Sequence, residues 1–419
     1  MMGNPVTDSG VKKTMNKKLK IGVVGLGARG LSFIVPVCKT KFCKDAEISA
    51  IYDYSQEENQ IVAEWLQKES QPQTYVADSL EQLLACDLDL VMVCTPQFTH
   101  AQIVCAALEA GHAVFSEKPM AINVAECDRM LETAKKTGKQ LFMGFNVRHN
   151  SVARKMKELI TEGKIGKPQS VTCTEFYYAG YSYFRRWHRF RKNSGGLLVE
   201  KGCHSLDLIN WFIDARPMRV AAFGGLDKFV PREDCGQSCH DCPRSNECVY
   251  YLDLDERGKR ISSVIDIDAR LLRGSDTCVF NSEKDTHDNT NVIIEYENGC
   301  RATYVESFTT SVKETHGRNF IINGTEGQMY AQLEKRKIIY YPEKVCSKGE
   351  ESPSVIYNVP PEPGNHGGAD NNMLAYMFDC LNGKRENTEM RPEFGRNAVL
   401  VAAGAERSID SKTIVELQK

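Results

Sequence analysis

The sequence predicts an α/β protein of two domains: an N-terminal doubly wound parallel sheet, then a C-terminal α+β domain with a large, mainly antiparallel sheet. Three observations carry this. Residues 19–148 alternate short apolar runs with helical periodicity, the signature of βαβ units. After about residue 150 the apolar residues recur at every second position, as in half-buried strands. Within that region Asn298-Gly299 separates two alternating runs, 291–297 and 301–308, and Asn-Gly in that setting is the strongest short-range hairpin signal.

In chain order, buried-strand patterns fall at 19–26, 48–52, 88–94, 112–115 and 140–144. Between them lie amphipathic helices: Ile61, Val62, Trp65 and Leu66 share one face, as do Cys127, Met130, Leu131 and Ala134. Strands joined this way form a parallel sheet with right-handed crossovers. In the second half, strands are expected at 171–178, 219–224, 291–297, 301–308, 318–322 and 337–341. Helices are expected near 151–162, 203–213, 371–382 and 394–408, the last two packing back on the first domain. The division read from these patterns is a flexible tail at 1–18, a nucleotide-binding domain at 19–148, and a substrate and oligomerisation domain at 149–419 with a cysteine-rich insert at 235–278.

Composition narrows the class. With 419 residues, 42% of them hydrophobic and 26% charged, the chain can fill two cores and is neither disordered nor collagenous. The formal net charge of −2, with both signs interspersed, leaves no nucleic-acid footprint. No apolar run reaches the roughly 18–20 residues that span a bilayer, and the polar N-terminus lacks the apolar stretch of a secretory signal. A cytoplasmic protein is expected. Sixteen cysteines are then thiols or metal ligands before they are disulfides, and Cys94, Cys105 and Cys127 sit in apolar segments as small hydrophobes.

The chemistry begins with the GLGARG run at 25–30, directly after the first strand and opening a helix. Such a loop needs glycine for its tight turn, for close approach of the backbone to a pyrophosphate, and for helix–strand packing. Asp53, 23 positions past Gly30, closes the second strand where an acid bonds the adenosine ribose hydroxyls. This is a dinucleotide-binding (Rossmann) pattern, with Gly25, Gly27, Ala28, Arg29, Gly30 and Asp53 as cofactor residues. Asp53 would repel a 2′-phosphate, so NAD is favoured over NADP, with Arg29 a partial offset. The third and fourth strands close on CTPQFTH at 94–100 and EKP at 117–119, and ligands of such sheets bind beyond the carboxyl ends of strands. Thr95, Pro96, His100, Glu117 and Lys118 are therefore expected at the nicotinamide half.

With GFNVRH at 144–149, GGLLVEKGCHSLD at 195–207 and INGTEG at 322–327, these motifs resemble those of the Gfo/Idh/MocA oxidoreductases, named for glucose–fructose oxidoreductase and inositol dehydrogenase. The resemblance spans almost the whole chain. It implies that Lys118 contacts both the nicotinamide ribose and the substrate hydroxyl. It also implies an acid and a histidine four residues apart after a Gly-Gly pair, here Gly195, Gly196, Glu200 and His204, with Asp207 following. On a helix starting near Glu200 these share one face, so the carboxylate is expected to orient His204 as the acid–base group. Aspartate is usual at that position, so Glu200 departs from the pattern; Lys201 beside it is also unusual, and is placed to contact substrate or pair with Glu200. Asn146 is expected at the cofactor and Arg148 at the substrate. The segment at 177–191, YYAGYSYFRRWHRFR, is read as a substrate-lining loop, with Tyr178 and Trp187 facing a sugar. His366, on the glycine turn at 364–368, either reaches the sugar or lies in solvent, and Asp370 is expected to cap the helix that follows.

Four cysteines crowd into 235–248 with spacings x3, x2 and x5, and Cys-x2-Cys is a chelate spacing. Relatives with a similar insert imply a fourth ligand before an aromatic, here Cys278. Cys239, Cys242, Cys248 and Cys278 are thus expected to hold a structural zinc, with Cys235 the substitute, an iron–sulfur cluster, disulfides and free thiols remaining open. The activity implied is NAD-dependent hydride transfer between nicotinamide and a secondary hydroxyl of a sugar, glycoside or cyclic polyol. Two alternatives stand beside it: a redox-assisted glycosidase (oxidation, elimination, re-reduction), and a non-catalytic NAD-binding regulator. A homo-oligomer, dimer or tetramer, is expected.

Overall fold

A computed structural model describes residues 18–417 apart from 70, 72, 179, 258 and 260–274. The expected tail at 1–18 lies, apart from Lys18, outside the described residues. Six parallel strands form the first sheet: β1 (Leu19–Val24), β2 (Ala46–Tyr52), β3 (Tyr75–Val76), β4 (Leu90–Val93), β5 (Ala113–Ser116) and β6 (Leu141–Met143). Their order is β3-β2-β1-β4-β5-β6, so the winding reverses between β1 and β4 and opens a crevice there. The crossovers are α1 (Ala28–Lys39), α2 (Gln56–Lys68), α3 (Leu80–Leu84), α4 (His100–Glu109) and α5 (Val124–Thr137). Side-chain oxygens of Ser55, Ser79 and Asn123 accept from the backbone N–H three residues on and fix the starts of α2, α3 and α5. β3 is two residues long, too short for its period to register in the sequence.

The second sheet has nine strands in the order β14-β13-β12-β11-β7-β10-β9-β8-β15. They are β7 (Pro168–Phe176), β8 (Pro217–Gly225), β9 (Asn289–Tyr296), β10 (Arg301–Ser307), β11 (Gly317–Gly324), β12 (Gly327–Gln332), β13 (Lys337–Pro342), β14 (Val355–Asn358) and β15 (Val415–Glu416). All pairs are antiparallel except β7 with β10. The Asn298-Gly299 turn joins β9 and β10 in register Arg301↔Glu295, with Gly299 at φ 81°, as the hairpin signal requires.

Helices α6 (Ser151–Thr161), α7 (Arg191–Ser194), α8 (Cys203–Ile213), α9 (Ala369–Leu381) and α10 (Pro392–Ser411) complete the described fold. Of the two helices expected against the first domain, α9 buries Met373, Leu374, Met377 and Phe378 in the core around β1 and α1, its Phe378 edge-on to Phe42 at 5.7 Å. α10 packs against α5 and β6 on one side and α8 and β8 on the other. Among the described residues no helix is long and apolar enough to cross a membrane.

Candidate active site

The glycine loop divides its labour as the spacing implies. Gly25 sits at φ 93°, and a Cβ there would lie 2.8 Å from the backbone of Cys94 and Thr95. A Cβ at Gly30 would strike the Gly25 carbonyl at 2.0 Å, so this glycine is what lets α1 meet the strand. At Gly27 nothing lies within 4 Å, which leaves its backbone open to a ligand. The Leu26 N–H donates to Asp53 Oδ2 at 2.8 Å and the Ser55 N–H to Oδ1 at 3.0 Å, so the carboxylate is locked at the end of β2. Beside it Glu58 is pushed up to about 7 by burial and by the Asp53 charge, which adds a second carboxyl group at this end.

A cleft of about 1010 Å³ runs from Asp53 past Gly25, Gly27, Ala28 and Arg29 to Thr95, Pro96, Glu117 and Lys118. It ends among Asn146, Tyr177, Tyr183, Trp187, His188, Glu200, Lys201, His204 and His366. Its length and this order of groups suit an extended dinucleotide with a small substrate at the far end. Lys118 donates to the Glu200 carbonyl at 3.0 Å and to its carboxylate Oε1 at 3.4 Å. Burial is the largest influence and works against the ammonium, but Glu200, Cys203 and Glu117 together outweigh it and hold Lys118 above the usual lysine range. His204 is buried edge-on to Phe145, ring centroids 6.1 Å apart, with Nδ1 lacking any hydrogen-bond partner. Burial first, then Lys118, Lys201, Arg318 and His366, push it well below the usual histidine range, so it is a neutral imidazole.

Several expectations are corrected. The Glu200 carboxylate does not orient His204: it accepts from Gln97 Nε2 at 2.5 Å, pairs with Lys118 and lies 3.7 Å from His188 Nε2. The reason is local, because Leu198–Gly202 is a π-helical turn, which breaks the four-residue alignment that an α-helix would give positions 200 and 204. Lys201 does not pair with Glu200 either; it stands over the Tyr177 ring at 4.3 Å, 3.6 Å from Glu175. Arg148 does not reach the cleft. It is buried and bidentate to Asp207 at 2.6 and 2.8 Å, with its guanidinium 3.8 Å over the Phe394 ring. Tyr178 lies outside the cleft, its N–H on His316 and its ring under Lys313. In β7 the odd positions Val171, Cys173 and Glu175 are the buried ones, so Tyr177, continuing that parity, faces the site. His100 ties two loops together instead of lining the cleft, its ring nitrogens 3.0 Å from the Pro119 carbonyl and 2.8 Å from that of Thr95.

Arg29 is committed to Glu117 at 2.6 Å and Asp370 at 3.2 Å, so it offers no compensation to a 2′-phosphate. Asp370 is not a helix cap: α9 begins one residue earlier, and the carboxylate takes Arg29, Asn146 Nδ2 at 2.8 Å and His366 Nδ1 at 2.9 Å. Trp187 lines the cleft stacked on His188 at 3.8 Å. The sequence reading missed Gln97, Tyr183 and His188, although the first stands inside the CTPQFTH run and the others inside the aromatic segment.

Cys235, Cys239, Cys242, Cys248 and Cys278 do converge on one small enclosed pocket. As placed, they do not fit a zinc ion or a cluster: among the described residues no group of three or more His, Cys, Asp or Glu stands where it could hold a metal. Arg185 enters the pocket instead and donates to Cys239 Sγ at 3.1 Å. Phe184, Phe229, Val279, Phe280 and Phe308, all outside 235–278, bury together with Cys278, with Tyr250 packed against them, so apolar burial contributes to holding this region.

Two family profiles match, one described as the oxidoreductase family NAD-binding Rossmann fold over residues 19–145, the other as the oxidoreductase family C-terminal alpha/beta domain over 157–417. The putative oxidoreductase YteT of Bacillus subtilis is 27% identical, over 94% of this chain and 97% of its own. The myo-inositol 2-dehydrogenase of Thermotoga maritima is 31% identical, over 50% of this chain and 59% of its own. Among solved structures, a levoglucosan dehydrogenase in complex with NADH and levoglucosan superposes with a TM-score of 0.70 at 18% identity, covering 96% of this chain and 100% of that one. The WlbA dehydrogenase of Bordetella pertussis, in complex with NADH and UDP-GlcNAcA, superposes at 0.68 and 18% identity with the same coverage. A Rossmann sheet with an open glycine loop, a lysine and a neutral histidine at the far end of its cleft, and both profiles end to end place the chain in the Gfo/Idh/MocA family of NAD-binding oxidoreductases.

Proposed function

We propose that the protein transfers hydride between NAD and a secondary hydroxyl of a sugar, glycoside or cyclic polyol. The observation that carries this is Lys118 and the neutral His204 lining one end of the cleft whose other end is closed by Asp53. The bound nicotinamide supplies the hydride chemistry; the chain's residues bind, orient and move protons. Lys118, held charged by Glu200, donates to the substrate oxygen and stabilises the negative charge that grows there. His204, uncharged, accepts the hydrogen bond of the hydroxyl. Tyr177 and Trp187 offer ring faces to a sugar, and Lys201 a donor to its hydroxyls. The names of the relatives, inositol and levoglucosan dehydrogenases among them, support a polyhydroxylated substrate. A regulator without catalysis would have no need of a charged lysine and a neutral imidazole beside the nicotinamide position.

NAD rather than NADP is the cofactor on this reading, since Asp53 and Glu58 face the ribose end and Arg29 is occupied elsewhere. A homo-oligomer is supported by exposed Phe223, Ile293, Ile321 and Ile356 on strands of the nine-stranded sheet, and light scattering on the eluted protein measures it. The function is tested by incubating the protein and NAD with myo-inositol, D-glucose and p-nitrophenyl glucosides, following NADH absorbance and nitrophenol release together. NADH formation without nitrophenol is expected. Nitrophenol release without NADH accumulation would overturn simple hydride transfer in favour of redox-assisted cleavage, and neither signal would overturn the proposed substrate class.

A further inference from the structure

A buried imidazole is a poor place to leave a proton. His204 is 7% exposed, surrounded by Lys118, Lys201 and Arg318, and among the described residues no carboxylate pairs with it, since Glu200 faces Lys118 and Gln97. Oxidation of a secondary alcohol nonetheless releases one proton for each hydride transferred, and the cleft must pass it to water.

A second histidine in the same cleft has the missing features. His366 lines it together with Lys118, Asn146 and His204, and its side chain is 54% exposed, so it meets both cleft and solvent. Its Nδ1 lies 2.9 Å from Asp370 Oδ2, which fixes the tautomer and leaves Nε2 for the cleft. Asp370 is 1% exposed and immobilised, with Asn146 Nδ2 at 2.8 Å on its other oxygen and Arg29 NH1 at 3.2 Å. Burial opposes its ionisation, but the bonds from His366, Arg29 and Asn146 prevail and hold it at about 2, so it is a carboxylate at any working pH. The backbone carries a further sign. His366 sits at φ 52°, ψ 36° beside Gly367 and Gly368, a left-handed conformation that strains a non-glycine residue. Glycine would suit the turn better, so what holds a histidine there is its side chain.

We propose that His366, oriented by Asp370, relays the reaction's proton between His204 and solvent. This deepens the hydride-transfer reading and rests on it. In oxidation the hydroxyl O–H bond breaks as the carbinol C–H pair leaves as hydride to the nicotinamide. The proton passes to His204, which accepts the hydroxyl's hydrogen bond, and on through water to Nε2 of His366, where the imidazolium formed is paired with the Asp370 carboxylate. Water at the exposed edge then removes it. Reduction runs the same steps backwards. The charged and titratable groups around the dyad are Asp370 on α9, Arg29 on α1, Glu117 and Lys118 at the end of β5, and His204 on α8.

The test is His366→Gly, which relieves the left-handed strain and leaves the bonds of Asp370 to Arg29 and Asn146 in place. NADH affinity should stay within about 2-fold, while NAD reduction with whichever of myo-inositol, D-glucose or p-nitrophenyl glucoside the wild type oxidises should fall by about 10² or more. Added imidazole should restore turnover in proportion to its unprotonated fraction, which a merely structural role would not allow. Turnover close to wild type, or a loss that imidazole cannot rescue, overturns the proposal. A wild type that oxidises none of the three overturns the proposed substrate class instead. The dyad is then decided by the His366 imidazole nitrogen signals in the NADH complex: an Nδ1–H tautomer lost in Asp370→Asn supports it, and an Nε2–H tautomer in the wild type overturns it.

Discussion

Glu200→Gln separates two accounts of one carboxylate. If Glu200 orients His204, the variant should lose activity at every pH where the histidine works. The geometry says otherwise, because Oε1 is 3.4 Å from Lys118 Nζ, with the two side chains only 8% and 15% exposed. At that separation and an effective dielectric of 20 the attraction is about 5 kcal/mol, an upper bound since water still reaches the pair. Burial pulls the other way, and the balance leaves Lys118 above the usual lysine range. Removing the charge keeps the burial and the carbonyl contact at 3.0 Å, so the ammonium should lose its proton at lower pH than in the wild type. A lysine is charged below its pKa, so both proteins carry the ammonium at pH 7 and turnover there should change little. The difference appears on the alkaline side. Wild-type activity should hold further up the alkaline limb than that of the variant, which should lose it at lower pH as its ammonium deprotonates. The assay is the pH dependence of NAD reduction, with NADH binding followed by fluorescence at each pH as a control. An unchanged alkaline limb, combined with a loss at pH 7 as large as that of His204→Ala, would refute the reasoning and return the carboxylate to the histidine.

Lys118→Ala and His204→Ala should each lower turnover by about 10² or more while NADH still binds, as measured by steady-state kinetics beside a fluorescence titration. Asp53→Ala should narrow the preference for NAD over NADP, and equal affinities in the wild type would remove Asp53 from cofactor choice. Asp207→Asn strands the buried Arg148 charge, so urea unfolding should show a loss of about 3–5 kcal/mol.

The legible parts of this molecule are those governed by short-range rules. The Asn298-Gly299 hairpin, the strand–glycine–helix unit and the boundaries of α6 and α8 depend on turn chemistry and period, which a single sequence carries. Short edge pieces such as β3 and β15 have two residues each, and their pairing comes from the sheet they join rather than from their own pattern. At the site the errors are errors of side-chain direction. Arg148, Tyr178 and His100 belong to the right segments, but where they point is set by contacts that composition and period do not reveal: Asp207, 59 positions on, for Arg148, the parity of a strand for Tyr178, two carbonyls for His100. The spacing of the insert's cysteines does foretell their convergence, but not the apolar surface beside them, which comes from Phe184, Phe229, Phe280 and Phe308 outside 235–278.

The π-helical turn at Leu198–Gly202 explains most of what is distinctive in the cleft. An α-helical turn would bring position 200 onto the face of His204 and make an acid–imidazole pair, with the charge of the acid raising the basicity of the ring. The wider turn sends the glutamate to Lys118 and Gln97 and leaves His204 facing cations. Lys118, Lys201 and Arg318 then set a positive potential around an uncharged ring, and such a potential favours an alkoxide over a neutral hydroxyl. The electrostatics of the cleft therefore stabilise the oxygen that loses its proton more than the imidazole that would keep it. A site built this way needs its proton store elsewhere, and the cleft-lining, half-exposed His366 with its buried carboxylate stands where that store is required.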